Sequence, residues 1–159
     1  MFVVESLLVD DLKRQGKEAA FVAGHSLGEI VALYAADVFG AECALSLLKI
    51  RSELMAAAGG GAMTAVMGFD RTQLEELVAA TEGVVIANDN SSSQVVISGT
   101  PEGVQQVSIQ LECKRAIPLQ VSGAFHSPFM EDASNCFANE LDNLEFKKAS
   151  IPLISNGSL

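Results

Sequence analysis

Residues 21–30 read Phe-Val-Ala-Gly-His-Ser-Leu-Gly-Glu-Ile, an apolar run that stops at Gly24 and resumes beyond Ser26 as a helix-forming stretch. The short run 19–23 predicts a buried strand of a parallel sheet. Residues 27–38 predict a helix that Gly40 ends. A strand turning sharply into a helix is the repeating step of an α/β layer, so this stretch decides the fold class. Ser26 stands at the corner, and two roles fit it. With Glu29 it can form a capping box, in which each side chain satisfies an orphan backbone N–H at the helix start. Alternatively it is the nucleophile of an elbow. Gly24 and Gly28 would then let neighbouring backbone approach, the hydroxyl would stand above the sheet, and the amide of Leu27 would be placed to stabilise an oxyanion. The capping box calls for neither glycine, which favours the elbow.

Working outward, residues 1–15 predict an amphipathic helix with Val3, Leu7, Leu8 and Leu12 on one face. It starts without a cap, and the chain stops just after a strand-like run at 151–154, so the sequence reads as an internal piece of a longer protein. A second helix is expected over 41–58. Its apolar stripe is Ala44, Leu47, Leu48, Leu54 and Met55, and Arg51 falls on the same face. A guanidinium facing inward is costly unless an anion meets it. A structural salt bridge and a bidentate clamp on a substrate carboxylate both answer that need.

Gly59, Gly60 and Gly61 break the pattern. Residues 62–67, 84–87, 94–98 and 115–121 then read as strands. Between them lie a helix capped by Asp70 and another opened by Thr100-Pro101. The order β-α-β-β-α-β is that of a ferredoxin-like module over 62–121. Asn88 and Asn90 are placed in its polar hairpin loop, where turn chemistry accounts for them. Ser127-Pro128 opens a last helix with the stripe Met130, Ala133, Phe137, Leu141 and Leu144. The expected architecture is therefore α/β: a partial parallel-sheet core from 1–58 and 123–159, with the small module inserted.

A serine needs a base, and the chain has two histidines, His25 and His126. His25 adjoins Ser26 and is read as a packing residue that props the corner. His126 lies between a strand and a capped helix, a junction that carries catalytic groups in α/β layers. Given the elbow it is favoured as the base; without it, an ordinary loop histidine suffices.

Composition narrows the field. Apolar residues make up 49% of the 159-residue chain, enough for a packed core. The formal charge is −10, with no basic stripe, which argues against nucleic acid. No apolar run is long enough to span a bilayer. Three scattered cysteines without a C-x-x-C pair argue against a disulfide framework or a metal site. They suit a reducing compartment such as a bacterial cytoplasm or an organelle interior.

The blocks GHSLGE, Arg51, GAMTAVMG, NDNSSSQVVISG, KRAIPLQVSGAFHSPFM and IPLISN, in this order, resemble the malonyl-CoA:acyl carrier protein transacylase family. The resemblance implies a hydrolase-like α/β core with an inserted ferredoxin-like subdomain. It implies malonyl transfer from malonyl-CoA to acyl carrier protein in fatty-acid synthesis, through an ester on Ser26, with His126 as base and no cofactor or metal. It assigns Arg51 to the malonyl carboxylate and Asn88 to the active site. Phe125, in GAFH, is similar to the residue of malonyl-selective members and would narrow the pocket. The family's N-terminal glycine-glutamine motif and its C-terminal histidine-orienting segment are absent, so the piece alone is expected to be weakly active or inactive. A serine esterase or thioesterase with the same pair, and a non-catalytic paralogue, remain the alternatives. An acidic carrier protein would need a local basic patch, for which Lys114-Arg115 and Lys147-Lys148 are the candidates.

Overall fold

The computed structural model describes residues 1–157. The last two residues of the expected 123–159 segment therefore lie outside the described residues. The chain divides into two compact units: residues 1–52 with the C-terminal stretch from Glu140, and residues 53–139. It combines a parallel sheet with an antiparallel one, an α/β fold.

In the first unit, α1 (Phe2–Arg14) is followed by β1 (Val22–Ala23), α2 (Gly28–Ala35) and α3 (Ala41–Ala57), whose last turns belong to the second unit. Near the C-terminus β6 (Leu153–Ile154) pairs in parallel with β1, Val22 opposite Leu153 and Ala23 opposite Ile154. Both strands are shorter than expected, but the strand-turn-helix order holds.

Two expectations for this unit are corrected. The apolar face assigned to α1 points outward: Leu7 is 58% exposed and Leu8 59%. Its buried residues are Phe2 and Ser6. The helix is held by the Phe2 ring edge-on to Tyr34, centroids 5.7 Å apart, and by the Tyr34 hydroxyl donating to Asp10 at 2.7 Å. That hydrogen bond, with the burial and the Asp10 charge, raises the Tyr34 pKa. The second correction concerns the end of α2. Asp37, with φ 59°, ends the helix in place of Gly40. The amides of Asp37 and Val38 return to the carbonyls of Tyr34 and Leu33, the paired closure that follows a left-handed residue. Lys13 then bonds the Asp37 carboxylate at 2.6 Å and Ser150 donates to it at 2.7 Å.

The second unit contains β2 (Ala62–Phe69), α4 (Arg71–Ala80), β3 (Val84–Ser91), β4 (Gln94–Gly99), α5 (Pro101–Gln110) and β5 (Cys113–Pro118). The four strands form one antiparallel sheet in the order β3-β4-β2-β5. Alternation along β4 explains the layering. Val95 and Ile97 point to a core with Val66, Leu74, Val104, Val107 and Leu111, while Val96 points to the other face with Met63 and Ala65. The caps work as the sequence proposed: Asp70 accepts from the Gln73 amide at 2.9 Å, and Thr100 from the Gly103 amide at 3.1 Å.

A 3₁₀ turn, Pro128–Met130, and α6 (Glu131–Asp142) follow. From 130 to 144 the residues that are not exposed are Met130, Ala133, Phe137, Leu141 and Leu144, the expected stripe. Among the described residues no helix is long and apolar enough to cross a membrane. Cys43, Cys113 and Cys136 are free thiols.

Candidate functional site

The corner after β1 is built by a close approach of backbone. A Cβ on Gly24 would lie 1.9 Å from the Gly28 carbonyl oxygen, so only glycine lets the strand end meet the first turn of α2. At Gly28 a Cβ would meet nothing within 4 Å. The packing reason expected for both glycines therefore applies to Gly24 alone.

Ser26 has φ 55°, a conformation non-glycine residues seldom adopt. Left-handed backbone of this kind costs on the order of 1–3 kcal/mol and gathers at functional sites. Ser26 does not cap the helix. The N-cap position is Leu27, with no side-chain capping bond. Instead the Ser26 Oγ accepts a hydrogen bond from the Arg51 Nη2 at 2.9 Å. Glu29, the other half of the anticipated capping box, is engaged by Ser155 and Asn156.

The entry to α2 is a tight, 3₁₀-type turn. The amides of Gly28, Glu29 and Ile30 donate to the carbonyls of His25, Ser26 and Leu27. The Leu27 amide, next in line behind the serine, has no acceptor among the described residues. Such an amide at a helix N-terminus can receive a developing negative charge.

Arg51 lies on the inward face of α3, as its spacing proposed. It is half-buried, and desolvation lowers its pKa from the ordinary value. Its bond to Ser26 places a cation at the serine hydroxyl. His25 is exposed and lines, with Leu8, Leu12 and Phe21, an open groove of about 650 Å³ beside α1. The packing role expected for it is therefore not met.

Asn156 was not singled out from the sequence. It follows β6 as Ser26 follows β1, so both stand beyond the carboxyl ends of the parallel pair, the usual position for ligand-handling residues in such sheets. Its side chain donates to the Gly24 carbonyl at 2.7 Å and accepts from the Ser26 amide at 3.4 Å. The signal available was position alone: a polar residue just past a predicted strand.

The second unit carries the other candidates. His126 is exposed and has φ 56°. Its turn is fixed from both sides. The amide of fully buried Ala124 donates to the Gly60 carbonyl at 3.1 Å. Ser127 donates to the Ala124 carbonyl at 2.5 Å and accepts from the Phe129 amide. Phe125 packs against Met63, Ala65 and Val96 on the sheet face away from the main core of that unit.

Asn88 is not in a loop. β3 runs on through Asn88, which pairs with Val96, and register shifts fall between Ile86 and Asn88 and between Asp89 and Ser91. With these shifts the polar run continues as strand. Among the described residues no three His, Cys, Asp or Glu side chains gather as a metal site.

A family model described as the acyl transferase domain matches residues 1–159. The malonyl CoA-acyl carrier protein transacylase of Synechocystis sp. is 50% identical over 156 residues, which are 98% of this chain and 53% of that protein. Its crystal structure matches with a TM-score of 0.93. The polyketide biosynthesis protein ThaF of Burkholderia thailandensis is 41% identical across 98% of this chain and 14% of its own length. A malonyl-transacylase solved in complex with its type II polyketide-synthase acyl-carrier protein is 32% identical with a TM-score of 0.87, covering 97% of this chain and 53% of that one. The chain thus spans about half the length of the Synechocystis relative.

Proposed function

The chain belongs to the acyl transferase domain family, and from that premise we propose that the protein moves a malonyl group from malonyl-CoA to acyl carrier protein through an ester on Ser26. The observation that carries this reading is the Arg51–Ser26 hydrogen bond of 2.9 Å. A desolvated guanidinium beside the attacking oxygen suits an acyl group whose far end is a carboxylate. The acid end pairs with the cation, and the thioester carbonyl then lies over the hydroxyl.

In the proposed sequence the Ser26 oxygen attacks the thioester carbonyl while its proton passes to His126. The Leu27 amide receives the oxyanion. The carbon–sulfur bond breaks, and coenzyme A leaves as the thiol, taking the proton from His126. The thiol of the carrier protein's phosphopantetheine arm then attacks the serine ester and releases Ser26. No cofactor is called for. Asn88 is proposed to line the acyl site, with Phe125 narrowing it. The left-handed backbone at Ser26 and at His126 supports the assignment of both, since strain of this kind needs a reason.

The strand order β3-β4-β2-β5 supports describing β2 to β5 as a ferredoxin-like subdomain, beside a hydrolase-like core of which β1 and β6 are part. We place the reaction in fatty-acid synthesis. The polyketide relatives favour a second reading in which the carrier protein belongs to a polyketide synthase. The three free thiols fit a reducing compartment.

The test is single-turnover acylation of the full-length protein with labelled malonyl-CoA and acetyl-CoA. Label is expected on Ser26, lost in Ser26→Ala, and discharged by carrier protein faster than by water. Arg51→Ala should lower malonyl acylation about 10- to 100-fold, as for loss of a hydrogen bond to a charged group, and shift the preference towards acetyl. Discharge by water alone would replace the transferase with an esterase, absence of label would leave a non-catalytic protein, and label on another residue would overturn Ser26 as the nucleophile.

A further inference from the structure

The β1–β6 ladder ends at the pair Ala23 and Ile154. Beyond it no ladder holds the two segments, and the side chain of Asn156 takes over. Its Nδ2 donates to the Gly24 carbonyl at 2.7 Å and to the Glu29 carboxylate at 2.6 Å, and its Oδ1 accepts from the Ser26 amide at 3.4 Å. Glu29 fixes the same segment twice more, through the Ser155 hydroxyl at 2.7 Å and the Asn156 amide at 3.4 Å.

The two backbone groups that Asn156 grips flank His25 and lead into the positive φ of Ser26. A serine left to itself relaxes out of that region. A side-chain amide suits the task because it offers a donor to the carbonyl and an acceptor to the N–H at once. An aspartate would lose the donor and set a second carboxylate against Glu29.

We propose that Asn156, locked by Glu29, is a positioning residue that holds the Ser26 corner in its left-handed turn and so aims the hydroxyl at the acyl carbonyl. This deepens the transferase reading and rests on Ser26 being the residue acylated. Asn156 touches the elbow from the segment after β6, so it acts through Ser26 and not on the substrate.

The experiment uses the protein at its full natural length. In Asn156→Ala the rate of Ser26 acylation at saturating malonyl-CoA should fall about 10- to 100-fold, as for a small misplacement of a reacting group. The half-saturating malonyl-CoA concentration and the melting temperature should stay near native. Asn156→Asp should fall further, and adding Glu29→Gln to it should restore part of the rate by reversing donor and acceptor. Amide exchange gives an independent reading: Ser26 should exchange at least about tenfold faster in Asn156→Ala, while Ile30 inside α2 should not change.

A native acylation rate in Asn156→Ala with unchanged Ser26 exchange overturns the proposal. So does a rate loss matched by equal losses in melting temperature and substrate affinity, which marks a merely structural residue. If the native protein takes no acyl label at all, the transferase reading fails. The holding role is then decided by exchange: faster Ser26 exchange in the variant keeps it, and unchanged exchange ends it.

Discussion

The two units are held together by different physics. In the second, one sheet face carries a continuous core in which Val66, Leu74, Val95, Ile97 and Val107 are fully buried, and both covering helices are capped by their own N-terminal residues. The first also buries apolar side chains, among them Ile30, Val38, Phe39 and Leu47, but its sheet is only two two-residue strands, and side-chain hydrogen bonds are added at particular joints: Glu29 and Asn156 at the corner after β1, Asp37 with Lys13 and Ser150 at the end of α2. Burial is non-directional and gives stability, whereas hydrogen bonds are directional and fix geometry. The corner that carries the left-handed Ser26 is where the first unit adds directional contacts to its burial.

The largest effect expected from breaking this contrast is at Gly24. Gly24→Ala drives a Cβ to 1.9 Å from the Gly28 carbonyl oxygen, so β1 and α2 cannot meet as they do. Ser26 acylation should fall by at least about 100-fold, with a lowered melting temperature. Gly28→Ala is the control. Its Cβ meets nothing, and alanine favours a helix by up to about 1 kcal/mol. Equal damage from both substitutions would show that backbone crowding at the elbow has been misjudged.

The next effect lies in the apolar unit. Leu74 is fully buried among Val84, Val95, Ile97 and Val107. Leu74→Ala should cost about 2–5 kcal/mol in denaturant unfolding. A loss well under about 1 kcal/mol would mean that the core refills the space, contrary to close packing.

The same contrast explains what could be read in advance. Asp70, Thr100 and Ser127 were legible as caps because capping joins residues two or three positions apart. The stripes on α3 and α6 were legible because helical period needs no tertiary knowledge, and that period placed Arg51 on the inward face while leaving its role to the family resemblance. What depended on distant partners was lost. Val3, Leu7, Leu8 and Leu12 do share a face of α1, but Phe2 and Asp10 meet Tyr34 and turn that face outward. Local sequence predicts a turn at Asn88, because polar residues favour turns. It stays in strand against β4 with a register shift on either side, an irregularity that leaves no local signature. Asp37 displaced Gly40 as the helix stop through bonds to Lys13 and Ser150, the latter more than a hundred residues away in sequence. Asn156 escaped notice for the same reason: its grip on Gly24 and Ser26 exists only once β1 and β6 lie side by side.

The smallest effect sharpens the contrast from the polar side. The hydrogen bond from Lys13 and then that from Ser150 hold the Asp37 carboxyl below its ordinary pKa. A carboxyl that titrates lower when folded binds fewer protons folded than unfolded. Its contribution is therefore complete above the ordinary carboxylate range and disappears as pH falls from about 4 through the lowered folded value. Asp37→Asn removes that charge, and asparagine still tolerates the left-handed φ of 59°. Native protein and variant should differ by less than about 1 kcal/mol near neutral pH, because the pair is exposed. The difference should close as pH falls through the lowered folded value. A gap that keeps its size from neutral to acid would assign Asp37 to backbone geometry and remove charge from the account of how α2 ends.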